Sequence, residues 1–467
     1  MQPTCTETAM NIPKVLSATK TRVIIAMHVF VVSATMLLGV ILTPNFAIAD
    51  VYEELDNEVS APRGTQSSTP NRNNISTREA DLEAEFQAWK AAEDAEFSEW
   101  KAKYFAELNA YKEKILGVWD VAEVTDKTNW VDYSKDLKTK KVVDYKNNEI
   151  RISISDAVAA PTQNDIQHYL EDIITTTPNT ARKKDPVLNA IDATASSKDP
   201  ISNTSMLAGV IATNETEETP KQLPKQLSKH VVNTAPSAPA ATNPSRSTAE
   251  RSAKALSRIA VVTKAKQPKS LDKAAVTTIT IKLPKDATYN RAKTFTRYVK
   301  SHSKTSNVNS SLIYAIMHTE SAFNPMARSA VPAFGLMQIV PGSAGKDVTK
   351  KWDGKARLLK PDELYNEQTN IRAGSTYLNI LLFSYLKGIT NPESRRFCAI
   401  AAYNTGAGNV SVAFTGSKKL RNALPVINSM TPKQVYDTLI KKLPYEETKH
   451  YLERVVRRQA VYAQRNL

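Results

Sequence analysis

Cysteine, histidine and glycine are scarce in this chain, and each scarcity closes off a class of function. Two cysteines occur in 467 residues. Cys5 precedes a leader-like apolar run, so removal of that leader leaves Cys398 alone and no internal disulfide framework is possible. Cys398 lies in an apolar run before Tyr403 and reads as a small buried hydrophobe rather than a nucleophile. The six histidines show no two-histidine metal spacing, and the 13 glycines form no phosphate-cradling loop. No cofactor and no metal are therefore expected. His318 and Glu320 do spell the H-x-E of zinc deaminases, but that site needs a closely spaced cysteine pair as well. Only Cys398 lies in this part of the chain, so His318 reads as a packing or helix-surface residue.

Aromatics are nearly absent from one long stretch. Between 156 and 270 the sole aromatic is Tyr169 and the sole glycine Gly209, while Ser, Thr, Ala, Pro and Lys dominate. Such a composition buries too little apolar surface to offset its ordering entropy. It is expected to be a disordered linker with at most a transient helix near 162–174. As a random coil it would span on the order of 60 Å.

Positive charge, by contrast, is abundant. The formal net charge is +15, which suits a polyanionic partner: nucleic acid, an anionic membrane or an acidic cell wall. The charge is spread along the chain and no nucleic-acid fingerprint is present, so a nucleic-acid partner is not expected.

At the start, Lys14, Lys20 and Arg22 precede an uncharged apolar run over 23–43. Ala47-Ile48-Ala49 closes it with the small-residue pattern of a signal-peptidase site after Ala49. The run is also long enough to span a bilayer, so a retained anchor through 23–43 is the alternative and membrane association its consequence. Either reading places the protein in the periplasm or cell envelope. Residues 50–79 are polar and expected to be disordered.

Residues 80–155 read as a small α+β module. Glu85-Phe86-Gln87-Ala88-Trp89-Lys90 returns as Glu96-Phe97-Ser98-Glu99-Trp100-Lys101 and as Glu107-Leu108-Asn109-Ala110-Tyr111-Lys112. That step is close to three helical turns and keeps the large side chains on one stripe of a long amphipathic helix. The stripe either packs on the segment that follows or binds a partner or sugar rings. Trp130, Tyr133, Val142, Val143 and Tyr145 lead to a turn at Asn147-Asn148, and Ile150, Ile152 and Ile154 then alternate with polar residues, a hairpin pattern.

The last domain, 271–467, opens with a strand over 276–283. Helices are expected near 288–303, 309–322, 335–346, 367–387, 393–403, 408–415, 418–427, 431–441 and 446–464, with Gly406 and Gly408 marking a sharp break. This many short helices suffices for one all-α core.

Within that domain, Asn309 is placed to cap a helix whose Ile313, Ile316, Met317 and Glu320 share a face. The helix should stop near Phe323, because Asn324 precedes Pro325. Glu320 thus extends an apolar stripe in the final turn. A carboxyl there either frays into water or is a buried acid whose pKa is raised. Cleaving a glycosidic bond needs such a proton donor, and most glycosidases add a second carboxylate. Asp347, Asp353, Asp362, Glu363, Glu367, Glu446 and Glu447 are available, and nothing in the sequence sets any of them opposite Glu320.

Three blocks follow the Glu320-Ser321 pair: Gly335-Leu336-Met337-Gln338-Ile339, Ala401-Ala402-Tyr403-Asn404-Thr405-Gly406-Ala407-Gly408-Asn409, and Leu443-Pro444-Tyr445-Glu446-Glu447-Thr448-Lys449-His450-Tyr451. In this order they resemble the lytic transglycosylases of the goose-type lysozyme superfamily (glycoside hydrolase family 23), over roughly 285–465. The region near 80–155 also resembles the N-terminal domain of one such enzyme.

The resemblance implies a mainly α chain: a lysozyme-like catalytic domain at the C-terminus and the small α+β module before it, with the linker between. It implies peptidoglycan glycan strands as partner and cleavage of the MurNAc-GlcNAc bond into 1,6-anhydromuramyl ends. A single Glu, here Glu320, would serve as both acid and base. By the same resemblance Ser329 lies by the catalytic carboxylate, Met337 and Gln338 line the cleft, Tyr403 and Asn404 flank the scissile bond, and Glu447 and Tyr451 complete the last block. Members with a lipid anchor carry a cysteine directly after the leader, where this chain has none.

Plainer roles remain open for several of these residues. Gln338 could satisfy buried backbone, Asn404 cap a helix, Glu447 be an exposed helix-start acid, and Tyr403 and Tyr451 be core aromatics. A lysozyme-type hydrolase and a non-catalytic wall-binding scaffold are the rival functions.

Overall fold

The computed structural model describes residues 95–156, 159–191, 200–210, 246–265, 267 and 273–467. The leader, the anchor reading of 23–43, the polar 50–79 and the first part of the long helix, with Trp89, lie outside the described residues. Among the described residues no helix is long and apolar enough to cross a membrane.

The amphipathic repeat forms a helix, α1, over 95–116. Its stripe is buried: Tyr104, Leu108 and Ile115 enter the core. Tyr111 meets Tyr133 edge-on at 6.3 Å, as packing on the following segment requires. Trp100 instead crosses to the far domain, 5.9 Å from the Phe334 ring.

Three strands follow, β1 (Asn129–Tyr133), β2 (Thr139–Asp144) and β3 (Glu149–Ser155), in an antiparallel meander. The register sets Val143 against Ile150 and Val142 against Arg151. The turn falls at Asn147-Asn148 as read from sequence, with Asn148 at φ 51°, a left-handed geometry that Asn tolerates well.

The sheet does not end there. It has five strands in the order β1-β2-β3-β5-β4. β4 is Val261–Ala265 and β5 is Val276–Lys282. β5, expected as the entry to the catalytic domain, pairs with β3, setting Ile152 against Ile279.

The stretch 156–270, read as a disordered linker, carries folded structure wherever it is described. α2 (Gln163–Thr175), α3 (Pro178–Lys184), α4 (Pro186–Ile191) and α5 (Arg246–Ser257) lie within it. The reason is local. Ile166, Leu170, Ile173 and Ile174 fall at helical spacing and all are buried, which a composition averaged over the whole stretch conceals. α2 has a capping box between Thr162 and Asp165 and packs on α5. Lys141 of β2 pairs with Asp172 of α2, and the Tyr145 hydroxyl donates to the Met206 carbonyl at 3.3 Å.

The rest is helical: α6 (Ala287–Thr294), α7 (Thr296–Ser306), α8 (Ser310–Ser321), α9 (Lys346–Asp353), α10 (Pro361–Leu364), α11 (Glu367–Ile380), α12 (Pro392–Thr405), α13 (Ala407–Thr415), α14 (Leu420–Asn428), α15 (Pro432–Lys442) and α16 (Glu446–Gln464). α8 is the central element. Its residues Leu312 to Met317 are all buried, so it is apolar all round, as a helix enclosed by others must be. α16 packs along it and α12 packs on α16. Each large side chain so enclosed stabilises the fold by roughly 1.5–3 kcal/mol.

The helix expected over 335–346 is not one. Residues 334–339 form a tight bridged turn, with Phe334 and Ile339 paired, and a short wide-turned helix occupies Pro341–Gly345 before α9. Gly335 at φ 74° and Gln338 at φ 50° cannot sit in a right-handed helix. Gly406, at φ 83°, makes the break between α12 and α13, whereas Gly408 lies inside α13.

Candidate active site

Glu320 occupies the last turn of α8. The helix begins as read from sequence, with the Asn309 side chain accepting from the Ser311 N–H at 2.8 Å. It ends on two non-glycine residues with left-handed backbone, Ala322 at φ 49° and Phe323 at φ 66°, so the chain turns before Asn324-Pro325 has any say. Such backbone costs free energy and persists only where surroundings enforce it. Ser321 does so: its buried hydroxyl lies 2.9 Å from the Met317 carbonyl and 2.8 Å from that of Leu336, and accepts from the Phe323 N–H at 3.1 Å. The residue after Glu320 thereby fastens the helix end to the 334–339 turn.

The Glu320 side chain is only 6% exposed, and Lys127 Nζ lies 3.5 Å from its Oε2. Burial pushes the carboxyl above its ordinary range. Lys127 and the Tyr451 hydroxyl pull it partway back, and the charge of Glu447 pushes it up again. A carboxyl in this setting holds its proton more firmly than one in water and can deliver it to a bound oxygen.

Three aromatic and acidic groups named from the sequence surround it. Tyr451, on α16, is buried with its hydroxyl beside the Glu320 carboxyl, yet makes no hydrogen bond of good geometry. Tyr403, on α12, donates to the Met337 carbonyl at 2.8 Å and feels the Glu320 charge. Its phenol is held well above the ordinary range by burial first and Glu320 second, so it stays a donor. Glu447 is exposed in the first turn of α16.

Met337 and Gln338 belong to the bridged turn. The Met337 N–H donates to Asn370 Oδ1 at 2.8 Å, and Met337 packs so closely on Gly374 that a Cβ there would meet Sδ at 2.3 Å. The Gln338 amide is buried. Its Nε2 donates to the Gly335 carbonyl at 2.9 Å, while Oε1 is without a partner. Asn404 accepts from the Thr448 hydroxyl at 2.7 Å, joining α12 to α16. Ser329 closes its own loop: its hydroxyl donates to the Val331 carbonyl and accepts from the Ala333 N–H at 3.3 Å.

The remaining acids have other business. Asp362 pairs with Arg182, Glu363 with Arg357 at 2.9 Å, and Glu446 with Lys449 at 2.5 Å. Asp353 lies 3.6 Å from Arg357, and Asp347 accepts from the Tyr385 hydroxyl at 3.0 Å. Glu367, capped by Ser202, is pushed up to about 7 by burial. Of these acids, Glu447 alone acts on the Glu320 carboxyl.

His318 is a packing residue. Its ring stands edge-on to Tyr462, whose hydroxyl is 3.1 Å from Nδ1, and burial beside Arg458 pushes it down to about 3. Cys398 is a buried free thiol raised by burial.

Two residues that touch the candidate site residues escaped the sequence reading. Asn370 clamps the bridged turn, donating from Nδ2 to the carbonyls of Phe334 and Leu364 at 2.8 Å each, besides its bond to Met337. A buried Asn in an otherwise apolar helix face was the available signal. Lys127 gave none, since it belongs to the other module.

Residues 297–424, which carry Glu320 and Tyr403, match the family model of the transglycosylase SLT domain. Among relatives, membrane-bound lytic murein transglycosylase C of Serratia proteamaculans (strain 568) is 43% identical over 190 residues, 40% of this chain and 51% of that protein. The protein of the same name from Sodalis glossinidius (strain morsitans) is 44% identical over 180 residues, 38% of this chain and 49% of that protein. This chain thus spans about half the length of the curated relatives it matches. The 70 kDa soluble lytic transglycosylase of Escherichia coli overlays on 37% of this chain and 25% of its own, at 27% identity and a TM-score of 0.28, too small a likeness to carry weight.

Proposed function

We propose that this chain is a peptidoglycan lytic transglycosylase in which Glu320 is both acid and base. The observation that carries the reading is one enclosed carboxyl, its pKa raised by burial, with the hydroxyl of buried Tyr451 beside it, Tyr403 close by and, among the described residues, no second carboxylate paired with it. The names of its relatives point the same way.

In this reading the Glu320 proton passes to the oxygen of the β-1,4 MurNAc-GlcNAc link as the bond to the muramyl C1 breaks. The muramyl acetamido group supports the positive charge at C1. The muramyl 6-hydroxyl then attacks C1, and the Glu320 carboxylate takes that hydroxyl's proton. One bond is broken, one is formed, no water is consumed, and the product is a 1,6-anhydro end. Tyr403 braces the bridged turn through the Met337 carbonyl, Tyr451 offers its hydroxyl beside the carboxyl, and Gln338, Met337, Asn404, Ser329 and Glu447 line or brace the cleft. The protein works in the cell envelope, where its substrate lies.

Mass spectrometry of fragments released from purified sacculi tests this. Anhydro-ended fragments from wild type and none from Glu320→Gln are expected. Water-added reducing ends would make it a hydrolase instead, and glycan binding without release would make it a scaffold.

A further inference from the structure

The catalytic carboxyl is touched by a residue outside the helical domain. Lys127 lies in the loop between α1 and β1, and its ammonium is 3.5 Å from Glu320 Oε2. Among the described residues it is the one cation acting on that carboxyl; the other groups facing Glu320 are Tyr451 and Glu447 from α16 and Tyr403 from α12.

The loop that carries Lys127 is fixed on both sides. Asp126 accepts from the N–H groups of Thr128 and Asn129 at 2.7 Å each, which sets the turn. The Asp126 carbonyl accepts from the Arg328 N–H at 3.3 Å and from the Asn324 amide at 3.5 Å. Arg328 Nε donates to the Thr125 carbonyl at 3.2 Å, and its guanidinium pairs with Asp185 at 2.9 Å. The Lys127 backbone is therefore held by the segment that follows Glu320 itself. Its side chain, 39% exposed, reaches the C-terminal end of α8, where the helix dipole also favours a cation.

We propose that Lys127 is a positioning residue of the active site, by which the N-terminal module holds the Glu320 carboxyl in place and stabilises the carboxylate left when its proton is transferred. This rests on the reading of Glu320 as the acid. Without the lysine, the carboxyl binds its proton more tightly. It then stays protonated to higher pH but gives the proton up less readily.

The test is the pH profile of anhydro-fragment release from sacculi by the full chain. Lys127→Met and Lys127→Gln should move the alkaline limb up by about one unit, with a several-fold lower plateau on the acidic side. Lys127→Arg should keep the wild-type limb. A limb unmoved in the folded neutral variant, checked by circular dichroism, overturns the proposal, as does a limb that Lys127→Arg moves equally. Glu320→Gln separates the two layers. If it is inactive and the limb does not move, the lysine's role falls and the acid's stands. If it remains active, the reading beneath both falls.

Discussion

Arg328 Nη1 lies 2.9 Å from Asp185 Oδ2, and both side chains are nearly enclosed. One residue follows α8 and the other belongs to the region expected to be a linker, so this buried pair locks the two parts of the chain together. Removing one partner of such a pair strands the other charge. Arg328→Met should cost about 3–5 kcal/mol in urea unfolding, well above the effect of exposed pairs such as Lys433–Asp437, for which no more than about 1 kcal/mol is expected.

Tyr403→Phe removes the only hydroxyl bonded to the Met337 carbonyl among the described residues. A buried acceptor left unsatisfied costs about 1–3 kcal/mol, and the turn carrying Gln338 loses its tether to α12. Turnover of sacculi should drop by at least tenfold with the melting temperature lowered by only a few degrees. Unchanged turnover would mean that the tether does not matter to the chemistry.

Gly335→Ala should harm both stability and activity. The position has φ 74°, and an added Cβ would meet Asn370 Nδ2 and the Leu364 carbonyl at 2.3 Å each. Backbone strain alone costs about 1–3 kcal/mol. The clamp made by Asn370 must shift, so a crystal structure or a loss of cleavage at full folding would register it.

Glu320→Gln should stabilise the fold in a pH-dependent way. Folded Glu320 holds its proton above its ordinary value of 4.5, so wild-type stability falls as the pH rises from that value through the folded one. Glutamine has no such loss. The melting temperature of Glu320→Gln should exceed wild type by a few degrees at neutral pH, and the gap should close on acidification below about 4.5. A constant gap would mean that burial of the charge is not its origin.

The stripe of Ile313, Ile316, Met317 and Glu320 was legible because a helix repeats on a scale shorter than itself. Tyr403 and Tyr451 were named through the resemblance, and both stand beside the carboxyl. The bridged turn at 334–339 was misread as helix because its apolar residues imitate helical spacing, while the deciding facts are the positive φ angles of Gly335 and Gln338. The folded part of 156–270 was missed because a few buried residues, Ile166, Leu170, Ile173 and Ile174, are diluted by polar neighbours. Lys127 was beyond reach: its contact with Glu320 depends on tertiary assembly, and nothing in Asp126-Lys127-Thr128-Asn129 announces more than a turn.

The place of β5 between β3 and β4 has a consequence for birth on the ribosome. β3 emerges early, but the strand that covers its open side is translated only just ahead of α6. Through all the intervening synthesis a row of backbone donors and acceptors stays bare, and a bare row invites pairing with other nascent copies. Of the charges flanking that seam, Arg151 lies on β3 itself and is present to discourage such pairing until the late strand arrives.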